Sequence, residues 1–162
     1  MNKNTTHKEH GARKKRKFPI GWIAVVLIIT GIIYLAASAP KIPSGEYVAM
    51  DGLHAHAHLS IVINGAPVTL PPGLGLSPVE NPIHVHENDD IIHMEFAGKV
   101  KKDDLRLKNF FNVWGKDFSQ YSILGNKAGN GHTIVMKVNG ATSTEYENYV
   151  MHDKDSIEIT YQ

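Results

Sequence analysis

The chain has 162 residues, of which 42% are hydrophobic, so it has room for one domain with a core of ordinary size. It contains no cysteine, which excludes disulfides, thiolate metal sites and cysteine nucleophiles. The formal net charge of +1 hides an uneven distribution: residues 1–17 carry seven basic and one acidic residue, whereas residues 40–162 carry ten basic and fifteen acidic. The acidic excess of the larger part argues against nucleic acid as a partner and favours cations.

The first elements along the chain are a basic tail at 1–17 and an apolar segment at 18–39. From Ile20 to Ala39, twenty residues follow one another without a charge, about the number that crosses a bilayer as a helix. The basic run at 13–17 places the amino terminus in the cytoplasm by the positive-inside rule. Ala37-Ser38-Ala39 also fits a cleavage site, but the apolar run exceeds the about 7–15 residues of a signal peptide. We therefore expect a single-pass cell-membrane protein whose retained anchor crosses the lipid bilayer.

Residues 40–52 contain Pro, Ser and Gly without apolar periodicity, which predicts a tether before an extracytoplasmic domain at 53–162. Alternating apolar residues predict the first strand of that domain from His54 to Asn64, and Asn64-Gly65 favours a tight hairpin. Further elements are predicted in chain order as a returning strand at 66–70, a second hairpin at 83–96, a helix at 105–114, a strand at 132–139 and a last strand at 156–161.

One helix on one face of a mostly antiparallel sheet makes an α+β domain. The order of hairpins, helix and final strands indicates a β-grasp-like arrangement behind an N-terminal transmembrane helix. A cupredoxin-like or cupin-like β-sandwich is the alternative.

Six histidines lie in three clusters, and within each cluster of two or three the spacing is i, i+2, which puts side chains on one face of a strand. They are His54, His56 and His58 in the first strand, His84 and His86 before the second turn, and His93 after it, with Glu95 two residues on. Neutral imidazole is a common ligand for zinc and copper. A metal-free polar sheet face and a protonation switch are the competing interpretations.

The second hairpin alone brings several of these side chains together. A two-residue turn at Asp89-Asp90 predicts His86 directly opposite His93, and His84 opposite Glu95. The three histidines are therefore the first predicted metal ligands. Glu95 is either a further ligand or a partner that orients an imidazole. The same alternation places these side chains away from the core.

The histidines of the first strand are additional predicted ligands. His54, His56 and His58 join the site only if their strand lies beside the second hairpin in the sheet. His132 falls in phase with Ile134, so we expect it at the edge of the core rather than at a metal. Copper and zinc both suit a site of imidazoles and a carboxylate, so the predicted cofactor is one of these two ions.

The sequence contains no HExxH helix motif, no GxSxG and no glycine-rich phosphate loop. We therefore expect a metal-binding protein for metal capture, delivery or sensing rather than a catalyst. One alternative is a metal-free interaction module that docks a membrane complex. A second is a small metal-dependent oxidase or hydrolase, which needs an open coordination position beside a substrate pocket.

Several motifs taken together resemble a known family. They are HxHLxIxI at 56–63, IHxH at 83–86, IHxE at 92–95, FFxVWG at 110–115, VNG at 138–140 and DSIEI at 155–159. The pattern spans about residues 53–162 and resembles an uncharacterised family of single-span, membrane-anchored extracytoplasmic domains of bacteria and archaea. The chain departs from that pattern at Val85 and Glu87, where Thr and Asp are typical, and at Asp90 and Lys108, where Gly is typical. The resemblance implies domain limits and topology, and it implies no function.

Overall fold

The computed structural model describes residues 20–38, 45–86 and 89–162. The chain divides into two units, Met1–Ile42 and Pro43–Gln162, and the first contains helix α1 at Ile20–Ser38. Across the described ranges, no helix is both long enough and apolar enough to cross a membrane. The predicted basic tail, both ends of the predicted span and residues 40–44 of the predicted tether lie outside the described residues.

The described part of the second unit contains eleven strands, one α-helix and two 3₁₀ segments. Its strands are β1 (Tyr47–Ala49), β2 (Leu53–Ile63), β3 (Ala66–Val68), β4 (Ile83–His84), β5 (Ile91–Phe96), β6 (Val100–Lys101), β7 (Ser122–Ile123), β8 (Asn126–Lys127), β9 (Ile134–Val138), β10 (Ala141–Ser143) and β11 (Asp155–Tyr161). Its helices are α2 (Leu107–Trp114) and the 3₁₀ segments Lys102–Leu105 and Tyr146–Asn148.

Seven strands form the main sheet, in the order β10-β9-β11-β2-β5-β4, with β3 also paired to β2. The neighbours β2 and β11 are parallel, and all other pairs in this sheet are antiparallel. The first half of β2 pairs with β5 and its second half with β3. The structure thus confirms an α+β domain with a mostly antiparallel sheet.

Strand β2 follows the alternation that its sequence predicts. Ala55, Ala57, Leu59 and Ile61 are buried, and the residues between them are exposed or half-buried. At the end of the strand Asn64 and Gly65 both have positive φ, +50° and +81°, as a two-residue type I′ turn requires. The predicted first hairpin is therefore confirmed, although its second strand ends at Val68 rather than at Leu70.

Helix α2 covers the buried face of the sheet with Leu107, Phe110 and Phe111. It ends where predicted, because Gly115 takes the left-handed conformation and donates its N–H to the Asn112 carbonyl. It begins two residues later than predicted. Arg106 is extended and bridges to Val150, which separates the preceding 3₁₀ segment from the α-helix.

Three other sequence-based expectations differ from the structure. The predicted tether contains β1, which pairs with β6 by backbone hydrogen bonds. The sequence of β1 has no apolar pattern that predicts this pairing. The strand expected from residue 132 begins at Ile134, and an unpredicted strand, β10, pairs with it across the Asn139-Gly140 turn. His132 itself is exposed and stacks on the Tyr161 ring at a centroid distance of 5.1 Å, so its predicted place beside the core is only partly right.

Candidate metal centre

Three histidines line up across neighbouring strands of the main sheet. His56 of β2 is directly opposite His93 of β5, and His93 is directly opposite His84 of β4. On the same face, His54 of β2 is opposite Glu95 of β5. Because directly opposed side chains have Cβ atoms about 5 Å apart, this pairing gathers the imidazoles of three strands into one cluster. The first strand therefore lies beside the second hairpin, which is the arrangement that the sequence analysis required for His54, His56 and His58 to join the site.

The predicted register of the second hairpin is wrong. His84, not His86, is opposite His93, because β4 ends at His84 and does not extend to a two-residue turn at Asp89-Asp90. After β4 the chain turns to another partner: Val85 donates its N–H to the Leu74 carbonyl, and the His86 carbonyl accepts from Gly73. Within the predicted second hairpin, Glu87 and Asn88 lie outside the described residues.

Four side chains form what we call the inner group, defined as His84, His86, His93 and Glu95. One donor atom from each can be chosen so that all four lie within 4.8 Å of one another. The Nε2 atoms of His84 and His86 are 3.0 Å apart, and the ring centroids of His86 and His93 are 4.4 Å apart. Two nitrogens bound to one tetrahedral zinc at about 2.0–2.1 Å lie about 3.3 Å apart. Small side-chain movements therefore suffice to close the group around an ion.

His84 is held with one nitrogen turned toward this group. Its Nδ1 lies 2.9 Å from the Asn81 carbonyl oxygen. A carbonyl only accepts, so Nδ1 must carry the proton, and in the neutral ring Nε2 then presents a lone pair to His86. Metal-binding histidines are oriented in this way by a carbonyl or carboxylate at the other nitrogen. Sequence analysis missed Asn81, because nothing in a proline-containing loop indicates which carbonyl will meet the ring.

His84 also corrects the expectation that the histidines lie away from the core, because it is fully buried. The loop before β4 covers it. Gly75 in that loop has φ +83°, and a Cβ there would lie 2.9 Å from the Ile83 carbonyl oxygen and 3.1 Å from the His84 Cβ. The alternation of β4 predicts correctly that His84 lies on the sheet face opposite the core. A loop covers that face at this point, so both faces of the sheet are buried there.

Replacing Gly75 with Ala is expected to lower the free energy of unfolding by about 1–3 kcal/mol, since the added Cβ meets backbone in a conformation that L residues avoid. Gly73→Ala is the matched control, because Gly73 also has positive φ, +71°, with no atom within 4 Å of an added Cβ. Urea unfolding followed by circular dichroism measures both variants. Equal losses in the two variants would show that the contact at His84 contributes nothing.

His93 occupies the centre of the cluster and is nearly enclosed. Its side chain is 15% exposed, and neither ring nitrogen has a hydrogen-bond partner among the described residues. Oε1 of Glu95 is 3.8 Å from Nδ1, which is too far for a hydrogen bond. A buried polar group without a partner costs about 1–3 kcal/mol, so this ring is placed where an additional ligand would stabilise it.

Burial lowers the pKa of His93 from its ordinary value of 6.5, and the neighbouring imidazoles of His86, His56 and His84 lower it further, while Asp89 opposes them. The unfolded chain therefore binds more protons at this position than the folded chain does just below pH 6.5. Linkage then requires the free energy of unfolding to fall as the pH drops through 6.5 toward the lower folded-state pKa.

We expect the metal-free protein, treated with chelator, to lose stability between pH 7.5 and pH 5.5 in urea unfolding. His93→Gln should show a shallower loss over the same interval, because one of the groups that resist protonation is gone. Identical pH profiles for the two proteins would contradict this role of His93.

A second set of side chains adjoins the first, and we call His54, His56 and Glu95 the outer group. Their donor atoms also lie within 4.8 Å of one another, and the Nε2 atoms of His54 and His56 are 3.1 Å apart. Asp153 supports this group: its Oδ1 accepts from the His56 backbone N–H at 3.0 Å and lies 4.0 Å from His56 Nδ1. Sequence reasoning missed Asp153, because ninety-seven residues separate it from His56.

His58 is the one predicted ligand that the structure leaves outside both groups. It is exposed and lies opposite Ile91, one step further along β2. The remaining histidines of the second unit, His132 and His152, also lie outside the two groups. The predicted residues that come together are therefore His54, His56, His84, His86, His93 and Glu95.

The two groups offer only imidazole nitrogens and carboxylate oxygens. Such donors bind zinc and copper, and they lack the thiolates that would favour copper(I) or iron–sulfur clusters. No protein-family model, no curated protein and no solved structure was found to match this chain.

Proposed function

We propose that this protein binds a zinc or copper ion through the inner group and serves in metal capture, delivery or sensing. The observation that carries the proposal is the position of His93, an enclosed imidazole whose two nitrogens have no partner in the described part of the chain, beside two further imidazoles and a carboxylate. An ion bound there would replace the missing hydrogen bonds of His93.

The alternative of a purely polar network explains less of this geometry. Without an ion, the 3.0 Å approach of His84 and His86 is a single N–H···N hydrogen bond, for which His86 must be the donor. That bond leaves both nitrogens of His93 without a partner among the residues that the structure describes, and it gives no reason for a third and fourth donor within 4.8 Å. A shared cation accounts for all four side chains at once.

The proposal predicts uptake of metal by the full chain, purified without a polyhistidine tag and stripped with chelator. Titration with zinc or copper(II) should show binding with at least about micromolar affinity, equivalent to about 8 kcal/mol. Replacing His58, His132 and His152 with Ala gives a matched control, since it removes three imidazoles of the second unit from outside both groups. If that control binds metal and the wild type does not differ from a His84, His86, His93 triple Ala variant, the inner group is not the site.

If the chain takes up no ion, the metal-free interaction module becomes the proposed function. Its docking surface would then be the sheet face with the exposed His58 and the half-buried Ser60 and Ser156. The oxidase or hydrolase alternative makes a separate prediction, namely that azide or cyanide alters the visible spectrum of the copper-loaded protein by taking an open coordination position.

We further propose that residues 18–39 anchor the protein in a cell membrane with the second unit outside, as the uncharged run and the basic residues before it indicate. Membrane fractionation of the native host should recover the chain with lipid after a high-salt wash. Protease added outside should remove the histidine-rich domain. Recovery of the intact chain in the soluble fraction would contradict the anchor.

We propose a β-grasp-like description for the domain. It is supported by the parallel pairing of the long strand β2 with the last strand β11 at the centre of the sheet, with antiparallel neighbours on both sides. The resemblance to membrane-anchored extracytoplasmic domains stays a prediction.

A further inference from the structure

We propose that the outer group binds a second metal ion and that the carboxylate of Glu95 bridges the two ions. This inference rests on the proposed function, because it adds a second ion to the site of the first. The result would be a dinuclear centre with three imidazoles on one ion and two on the other.

Glu95 is the residue that the two groups share. Its Oε1 lies 3.8 Å from His93 Nδ1 in the inner group and 3.7 Å from His54 Nε2 in the outer group. A carboxylate has two oxygens, so it can give one to each of two ions. Two-metal sites in proteins hold their ions about 3.5–4 Å apart, a span that one carboxylate covers.

Backbone pairing explains why Glu95 stands between the groups. It is opposite His54 across the β2–β5 ladder and two residues from His93 along β5. The next pair of that ladder on the same face, His56 and His93, brings one ring from each group to a centroid distance of 4.7 Å. Both groups thus share two same-face pairs of one β-ladder, and this pairing fixes their separation.

The outer group has its own support from a distant part of the chain. Asp153 accepts the His56 N–H, and Lys154 donates its N–H to the His56 carbonyl at 2.6 Å. His56 is therefore fixed on both sides of its backbone at the edge where β11 begins. The 3.1 Å approach of the His54 and His56 Nε2 atoms repeats, within 0.1 Å, the 3.0 Å approach of His84 and His86.

The two ions would differ in access to solvent. The side chains of His54 and His56 are 64% and 41% exposed, whereas His84 is fully buried. The outer ion, with two imidazoles and one carboxylate oxygen, retains at least one position for water. It is therefore the ion that exchanges faster with free metal.

Copper(II) binding to the full chain tests the proposal, in a His7→Ala/His10→Ala background so that the amino-terminal histidines add nothing. Equilibrium dialysis with elemental analysis should give two equivalents. Electron paramagnetic resonance should show a half-field signal from two copper ions about 4 Å apart. His54→Ala/His56→Ala should bind one equivalent and lose the half-field signal, while His58→Ala on the same strand should keep both.

Each other outcome overturns a different statement. No copper bound by the wild type contradicts the proposed function as well as this inference. One equivalent that His54→Ala/His56→Ala leaves unchanged contradicts the second ion alone. Two equivalents with the full signal of uncoupled copper(II), or a half-field signal that survives in Glu95→Gln, contradict the bridge.

Discussion

Replacing His84, His86 and His93 together with Ala is expected to lower the affinity of the protein for zinc or copper by more than about 100-fold. Loss of a single supporting partner of a metal ligand already costs about 10–100-fold, and this variant removes three ligands. Glu95 would remain with no imidazole of the inner group beside it. Titration calorimetry of the chelator-treated full chain measures the change.

Burial of His84 makes a second variant necessary, because a cavity at that position could unfold the domain. His86 is exposed and lies beyond the end of β4, so His86→Ala removes a ligand without opening the core. We expect it to keep the circular dichroism spectrum of the wild type and to lower metal affinity at least about tenfold. Wild-type affinity in His86→Ala would remove this residue from the site.

Replacing Phe111 with Ala is expected to lower the free energy of unfolding by about 3–5 kcal/mol, the usual range for a buried aromatic side chain. Phe111 is 1% exposed, stacks on Phe118 at a centroid distance of 4.5 Å and also contacts Phe110 and Trp114. The loss reflects both the apolar area exposed and the cavity left behind. Urea unfolding monitored by the fluorescence of Trp114 and by circular dichroism measures it.

Tyr121→Ala is the control for Phe111→Ala, because Tyr121 is a large aromatic residue that is 70% exposed. Its change should stay within about 0.5 kcal/mol. A loss at Phe111 no larger than that at Tyr121 would mean that the aromatic cluster around α2 does not hold the domain together.

Local patterns predicted much of the fold. Strand β2 and its Asn64-Gly65 turn were predictable because alternation and turn preference act between residues that are close in sequence. The same is true of helix α2 and its glycine cap, although its start depended on Arg106, which pairs with Val150 far along the chain. The short strands β1, β6, β7 and β8 lack such a pattern, because two or three residues cannot show a period.

The membership of the site was more predictable than its geometry. Because the i, i+2 spacing fixes which face a side chain takes, six of the seven predicted residues come together. The register of β4 and β5 was not predictable, since Val85 and His86 leave the ladder for backbone partners in the loop at Gly73 and Leu74. An even-numbered register shift keeps every side chain on its face, so this error did not disperse the cluster.

The features of the site that the sequence did not predict depend on contacts between residues distant in sequence. Asn81 fixes the tautomer of His84, and Asp153 fixes the backbone of His56, yet neither residue belongs to a recognisable motif. His58 shares spacing and face with His56 but occupies the last pair of the β2–β5 ladder, where its neighbour is Ile91. Only the strand pairing separates the histidines of the two groups from His58.

The most direct test of the inner group is anomalous diffraction at the zinc edge from crystals of the zinc-loaded protein. For the inner group we expect a strong peak within about 2.0–2.2 Å of nitrogens from His84, His86 and His93 and of an oxygen from Glu95. A peak at His132 or His152 instead, or imidazoles of the inner group that stay bonded only to one another in saturating zinc, would contradict the account.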